Sequence, residues 1–255
     1  LKMKTSYSLP WLTDQYENGQ ELTFLYFWGH APSAQTVGKA CLSQWYPASF
    51  VVNNITYPTA EHWMMAEKAR LFRDDVTMRA ILAAETPKDA KALGREVRHY
   101  NEDIWNACKY EIVFRGNIHK FNQNRDMGEY LLSTGNSILA EASPVDAVWG
   151  VGLPADSPSI KNLYLWRGQN LLGFALMEVR DFLQQYGFFD SKANNFPAPW
   201  EQYPGKDEHD MFWRMGAGED CIAAFSKAYD ALTEREQAIY RVLHPEPDGW
   251  MFYAG

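Results

Sequence analysis

Glu61 and Lys68 stand seven residues apart in YPTAEHWMMAEKARLF (Tyr57 to Phe72), a stretch whose apolar residues recur at helical spacing after Pro58. Seven residues make two helical turns, so the carboxylate and the amine leave one face about 10 Å apart along the axis, with room for a ligand between them. Glu61 falls in the first turn, where the helix dipole favours the ionised form, which suits a base or a cation-stabilising group better than a general acid. On spacing alone, a carboxylate supporting a helix start and a solvated lysine account for the pair at least as well.

Two further groups could carry chemistry. In SPVDAVWGVG, Asp146 precedes Trp149, Gly150 and Gly152; the glycines permit close backbone approach and the indole can stack on a base. In WRGQN, Trp166, Gly168 and Asn170 lead into a helical stretch whose free N–H groups can receive a phosphate. A turn around a buried Trp and an ordinary helix cap are the competing readings. Other chemistries are disfavoured: there is no GxxxxGK[ST] loop, no GxSxG elbow and no HExxH, and WGVG is a mere fragment of a dinucleotide fingerprint. His30, His62, His99, His119, His209 and His244 lack ligand spacing, and Cys41, Cys108 and Cys221 form no CxxC pair or disulfide framework. No metal and no cofactor is therefore expected, and isolated cysteines fit a reducing compartment.

The elements that must position these groups are mostly helical. Leu22 to Trp28 reads as a buried strand, and Ser49 to Val52 with Ile55 to Tyr57 as a hairpin around Asn53-Asn54. Thr59 caps the helix bearing Glu61, Thr86-Pro87 opens a second, and Asn101 a third with the stripe Ile104, Trp105, Cys108, Ile112 and Val113. Asp126 to Ser133 is a shorter helix, Ile138 to Ala142 a brief strand, and Asn170 caps a helix that stops at Gly187. The first residues, to about Asn18, show no clear period and read as an irregular arm. Phe188 to Lys206 reads as a connector that packs, since Phe196, Trp200 and Tyr203 do not suit a free linker. Cys221 to Leu243 reads as a helix that a Thr233 capping box can divide. The expected organisation is an arm (1–21), a catalytic domain (22–186) and a C-terminal extension (187–255), in a mainly α fold with a small minor β-sheet. That extension either docks a partner or packs back on the core.

Composition narrows the function. Hydrophobic residues at 46% against 22% charged support a real core, and an aromatic share of 15% leaves rings to line a pocket for a flat ligand. A net charge of −8 argues against a protein held on nucleic acid mainly by phosphate neutralisation, leaving at most a local contact with such a substrate. No apolar run approaches the roughly 20 residues that span a bilayer, and the N-terminus carries no signal-like pattern, so a cytoplasmic location without membrane contact is expected.

Taken in order, LSQWYPASF (Leu42 to Phe50), YPTAEHWMMAEKARLF, KALGREV (Lys91 to Val97), IVFRGNIHKFNQN (Ile112 to Asn124), LLSTGNSILAEASPVDAVWGVGL (Leu131 to Leu153) and WRGQNLLGFALMEVR (Trp166 to Arg180) resemble the NADAR or YbiA-like family. The resemblance spans about Leu22 to Leu183. It implies a compact, mainly helical fold and N-glycosidase activity on a ribose C1 bonded to an exocyclic amine. Two substrates are associated with such proteins: ADP-ribose on guanine in nucleic acid, and a phosphoribosylamino-pyrimidine intermediate of riboflavin synthesis. The family pattern places its acidic catalytic position on Glu61 and its lysine on Lys68, with pocket positions on Trp45, Arg95, Asn117, Lys120, Asp146, Trp149 and Asn170. Trp63 and Gly150 join the substrate-contacting set, and Asp146 the catalytic one. The arm and the residues after Leu183 depart from the pattern.

In the mechanism so implied, Glu61 stabilises an oxocarbenium-like transition state or activates water. Lys68 orients the ribose, or its amine attacks the ring-opened aldehyde as a Schiff-base nucleophile, which desolvation favours. Trp45 and Trp149 stack on the base, and Arg95 and Lys120 meet phosphate. The alternative is a non-catalytic ADP-ribose or nucleotide sensor using the same pocket. The leaving group and the oligomeric state stay open.

Overall fold

The fold is given by a computed structural model that describes residues 6–32 and 36–254, so the first five residues of the expected arm lie outside the described residues. The described chain divides into two compact units, a larger one of residues 6–51 and 55–187 and a smaller one of residues 52–54 and 188–254. Among the described residues the architecture is mainly α with two small two-stranded sheets, and no helix is long and apolar enough to cross a membrane.

The larger unit opens with α1 (Leu9–Glu17), where the sequence suggests only an irregular arm. Ser8 caps it by accepting the Trp11 amide, and Pro10 sits in its first turn where no N–H is needed. Its single buried residue, Leu12, is too little to print a period on the sequence. β1 (Phe24–Phe27) follows; β2 (Phe50–Val52) and β3 (Ile55–Tyr57) then form the hairpin, with Asn53 and Asn54 both left-handed at φ 49° and 61° as its tight turn requires.

Thr59 caps α2 (Ala60–Leu71), accepting the His62 amide. Asp74 caps α3 (Asp75–Leu82), a helix the sequence reading does not separate, and Thr86 caps α4 (Pro87–Arg95). Next come α5 (Glu102–Gln123), α6 (Arg125–Ser133), β4 (Ile138–Glu141) and α7 (Leu171–Tyr186). β4 runs parallel to β1, pairing Phe27 with Glu141, so the sheet's last residue at one end is a carboxylate. α2 packs on α3, α4 and α5, while α7 packs on α5 and β4. Buried side chains such as Phe174, Leu176, Val113 and Ile118 fill these contacts, each contributing about 1.5–3 kcal/mol on burial.

The smaller unit holds α8 (Pro199–Gln202), α9 (Gly216–Asp230) and α10 (Glu234–Leu243). The expected long helix is divided at Thr233, whose hydroxyl accepts the Glu236 amide while the Glu236 carboxylate accepts the Thr233 amide. Trp200, Phe225, Tyr240 and Trp250 form its core, with Phe196, Tyr229 and Tyr253 packed against them.

Candidate active site

Glu61 lies in the first turn of α2, where its amide donates to the Gln44 carbonyl at 3.0 Å and its side chain is 4% exposed. The segment that faces it is anchored from α5. Lys120, wholly buried, donates to the Cys41 and Ser43 carbonyls at 2.6 and 2.8 Å. Asn117, also wholly buried, donates to the Gln44 side chain at 3.2 Å and to the Val113 carbonyl at 2.8 Å. Held in this way, the segment delivers Trp45, whose side chain hydrogen-bonds the Glu61 carboxylate. Lys91 of α4 lies 5.9 Å from the centre of the Trp45 ring, and His30 packs on that ring's other neighbourhood at 5.5 Å.

A second carboxylate comes from the sheet. Glu141 ends β4, its amide donating to the Asn170 side chain at 3.0 Å, while its Oε2 is buried without a hydrogen-bond partner. Asp146 stands on the loop that follows, accepting the amides of Val148 and Trp149 at 2.9 and 2.8 Å. That loop folds tightly because Gly150 has no side chain: a Cβ there would lie 2.9 Å from the Glu141 carbonyl and 3.0 Å from that of Asp146.

Electrostatics join these groups into one cluster. Burial pushes the Glu61 carboxyl up to about 7, against the opposing Lys91 charge and the Trp45 hydrogen bond, with Asp146 raising it further and Arg95 lowering it. Burial and then the Asp146 charge push Glu141 up to about 8, again opposed by Lys91 and assisted by Glu61. The helix start does not by itself hold Glu61 in the ordinary carboxylate range. A helix terminus stabilises a charge by about 0.3–1 kcal/mol, less than one pKa unit, and burial outweighs it. Among the described residues no group of three or more His, Cys, Asp or Glu is placed to hold a metal ion.

Lys68 leaves α2 on the same face but meets other partners. Its ammonium donates to the Gly94 carbonyl at 2.7 Å and lies 4.4 Å from the Tyr100 ring centre and 5.6 Å from that of Trp105, with burial lowering its pKa. Arg95, next to Gly94, is exposed and acts on Glu61 through its charge. Trp149 is half-buried on the Asp146 loop.

Four expected substrate contacts have their polar groups engaged within the protein. Trp63 is core: its indole N–H donates to the Ile112 carbonyl at 2.8 Å, its ring packs on Phe50, Tyr57 and His119, and Gly116 leaves the space it fills. Lys120 and Asn117 spend their donors on the Cys41–Trp45 segment, as above. Asn170 stands at the N-cap of α7 without a side-chain cap bond; left-handed at φ 54°, its side chain bridges the Leu139 carbonyl and the Glu141 amide. The amides expected to hold a phosphate at this helix start are also taken, Leu171 by Val148 and Leu172 by Trp149.

Sequence reasoning missed Glu141 and Lys91. The available signals were a carboxylate directly ending three buried strand residues, and a Lys91/Arg95 pair of like charges one helical turn apart.

The sequence matches the NADAR domain over residues 26–184, which includes every residue of this cluster. The chain belongs to the NADAR family. Relatives in it include N-glycosidase R617 of Acanthamoeba polyphaga mimivirus, 40% identical over 165 residues, covering 63% of this chain and 97% of the relative. Riboflavin biosynthesis protein VVA0006 of Vibrio vulnificus is 32% identical over 166 residues, covering 62% of this chain and 41% of that protein. The NMR structure of the E. coli protein YbiA shares the NADAR fold at a TM-score of 0.53 and 22% identity, covering 75% of this chain and 94% of that one.

Proposed function

We propose that the protein is an N-glycosidase that hydrolyses the bond between ribose C1 and an exocyclic nitrogen, in ADP-ribosylated guanine or a phosphoribosylamino-pyrimidine. The observation that carries this reading is the pair of Glu61, 4% exposed, and Glu141, whose Oε2 is buried without a hydrogen-bond partner, both pushed up by burial and both facing the Lys91 charge. Cleavage needs an anion at C1 and a proton at the departing nitrogen. Glu61, hydrogen-bonded by Trp45, faces C1 and takes the proton of the attacking water. Glu141, whose Oε2 has no partner, gives its proton to the nitrogen as the bond breaks. Water's oxygen ends on C1, and the amine leaves neutral.

Trp45 offers a face for the base, Arg95 a rim charge for phosphate, and Asp146 raises the proton affinity of both carboxyls. Lys68 orients the ribose or attacks its ring-opened aldehyde; burial, which lowers its pKa, favours the second role. Borohydride trapping with substrate, read by mass analysis of the Lys68 peptide, decides between them. The name of the mimiviral relative supports the reaction class, and that of the Vibrio relative a place in riboflavin biosynthesis. Incubation with each substrate, followed by assay for released ADP-ribose or ribose 5-phosphate, tests the proposal; release of neither overturns it.

A further inference from the structure

The geometry points to a second binding region beside the carboxylate cluster: a cleft that takes a phosphate-bearing nucleoside extension of the substrate, with Lys109 as its anchoring cation. The inference rests on the N-glycosidase reading and adds to it the part of the substrate remote from the bond that breaks.

The cleft has a volume of about 660 Å³ and lies in the larger unit, between the start of α1, the middle of α5 and the start of α7. Its lining includes Ser8, Asn106, Lys109, Tyr110, Gln169 and Leu171, a mix of hydroxyl, amide, aromatic and apolar surface. Sites of this size and make-up hold ligands of nucleotide scale, with a few polar groups fixing orientation. A ribose carrying one phosphate needs far less room.

Its wall adjoins the loop that carries Asp146. The Gln169 amide donates to the Ala147 carbonyl at 3.0 Å and the Leu171 amide to the Val148 carbonyl at 3.3 Å, both on the loop that presents Asp146. Asp146 in turn acts on Lys109 through its charge, as it does on Glu61 and Glu141. Lys109 is the charged residue of the lining; its ammonium donates to the Asn106 side chain at 2.7 Å and keeps further N–H bonds to offer an anion. One cation in a chain of net charge −8 suits a single phosphorylated extension rather than a nucleic-acid strand, which draws on several cations at once.

The test compares the binding of ADP-ribose and ribose 5-phosphate to the full chain by titration calorimetry, in the wild type, in Lys109→Gln and in Leu171→Trp, which fills the cleft. Preference for ADP-ribose over ribose 5-phosphate falls about tenfold in both variants if the cleft holds the extension. An unchanged preference in both overturns the inference. So does the loss, in Lys109→Gln, of salt-sensitive binding to a single-stranded oligonucleotide while ADP-ribose binding is retained, which gives the cleft to a nucleic-acid strand. Hydrolysis by the wild type, and its dependence on Glu61, is measured alongside: turnover that survives an unchanged preference leaves the N-glycosidase reading standing and removes the cleft alone.

Discussion

Both units set a carboxylate among aromatic rings, and they treat it in opposite ways. In the smaller unit Glu201 accepts from the His244 ring at 2.8 Å and from the Ala198 amide at 3.1 Å. His244 stacks on Tyr240 at 4.1 Å, and the Tyr253 hydroxyl donates to the His244 carbonyl at 2.9 Å. These bonds tie Glu201, His244 and Tyr253 into the unit's frame. In the larger unit Glu141 Oε2 has no partner, Glu61 is buried with the Trp45 hydrogen bond as its relief, and both carboxyls are pushed toward neutrality. A part-exposed carboxylate held by hydrogen bonds, as Glu201 is, supports a fold at little cost, whereas one buried short of partners is poised for a ligand or a proton.

The largest expected effect breaks this contrast at its centre. Glu61→Gln keeps the shape of the side chain and removes its charge, so turnover should fall about a thousandfold, within the range of lost general acid–base groups, while circular dichroism stays that of the folded protein. A variant with near-normal turnover would place Glu61 with the supports, beside Glu201.

Glu141→Gln should cost about a hundredfold and, more tellingly, one limb of the pH profile. With Glu61 required ionised and Glu141 required protonated, kcat/KM rises through about 7 and falls through about 8. Because the two interact, those apparent values belong to the pair. The Gln variant loses the falling limb; a profile that keeps it assigns the acid elsewhere.

The same burial has a signature in stability. Both carboxyls are raised above their unfolded value of 4.5, so their contribution is fully present below about 4.5 and is lost as the pH rises through the folded values. Tm should therefore fall between pH 5 and 7 and flatten in the Glu61→Gln/Glu141→Gln double variant. PH 7 is the right upper limit because burial also pushes the Lys120 amine down to about 7, and above that pH the lysine adds the opposite slope. A flat wild-type Tm over this window would show the carboxyls to be solvated.

How much of this could be read from residues alone follows from the same physics. Caps and tight turns are local, so Thr59, Thr86, Asn53-Asn54 and the Thr233 box announce α2, α4, the hairpin and the division before α10. Glu61 was legible because α2 is a regular helix. Glu141 was not, because only the parallel pairing of β4 with β1 and the bridge from Asn170 bring it across from Glu61. Lys120 and Asn117 were expected in the pocket from the family resemblance alone, since a polar residue on a buried helix face has two fates, ligand or loop, that share one sequence pattern. Lys120→Met sharpens that point: without its two bonds the Cys41–Trp45 segment loosens, and kcat/KM should drop about tenfold. A positioning role predicts that the loss appears in kcat as Trp45 leaves Glu61, whereas a direct phosphate contact predicts it in KM.

The smallest effect on turnover tests the other side of the comparison. Glu201→Gln weakens the bond to His244 and the cap on Ala198, at a cost of about 1–3 kcal/mol for the charged hydrogen bonds lost. The smaller unit should melt at lower temperature, followed by the fluorescence of Trp200 and Trp250 in its core. Turnover at a temperature below that transition should stay within about twofold, because Glu201 has no part in the charges that set Glu61 and Glu141. If turnover instead falls as far as in Glu141→Gln while the aromatic core stays folded, then full bonding does not mark a carboxylate as structural, and the contrast between the units gives way.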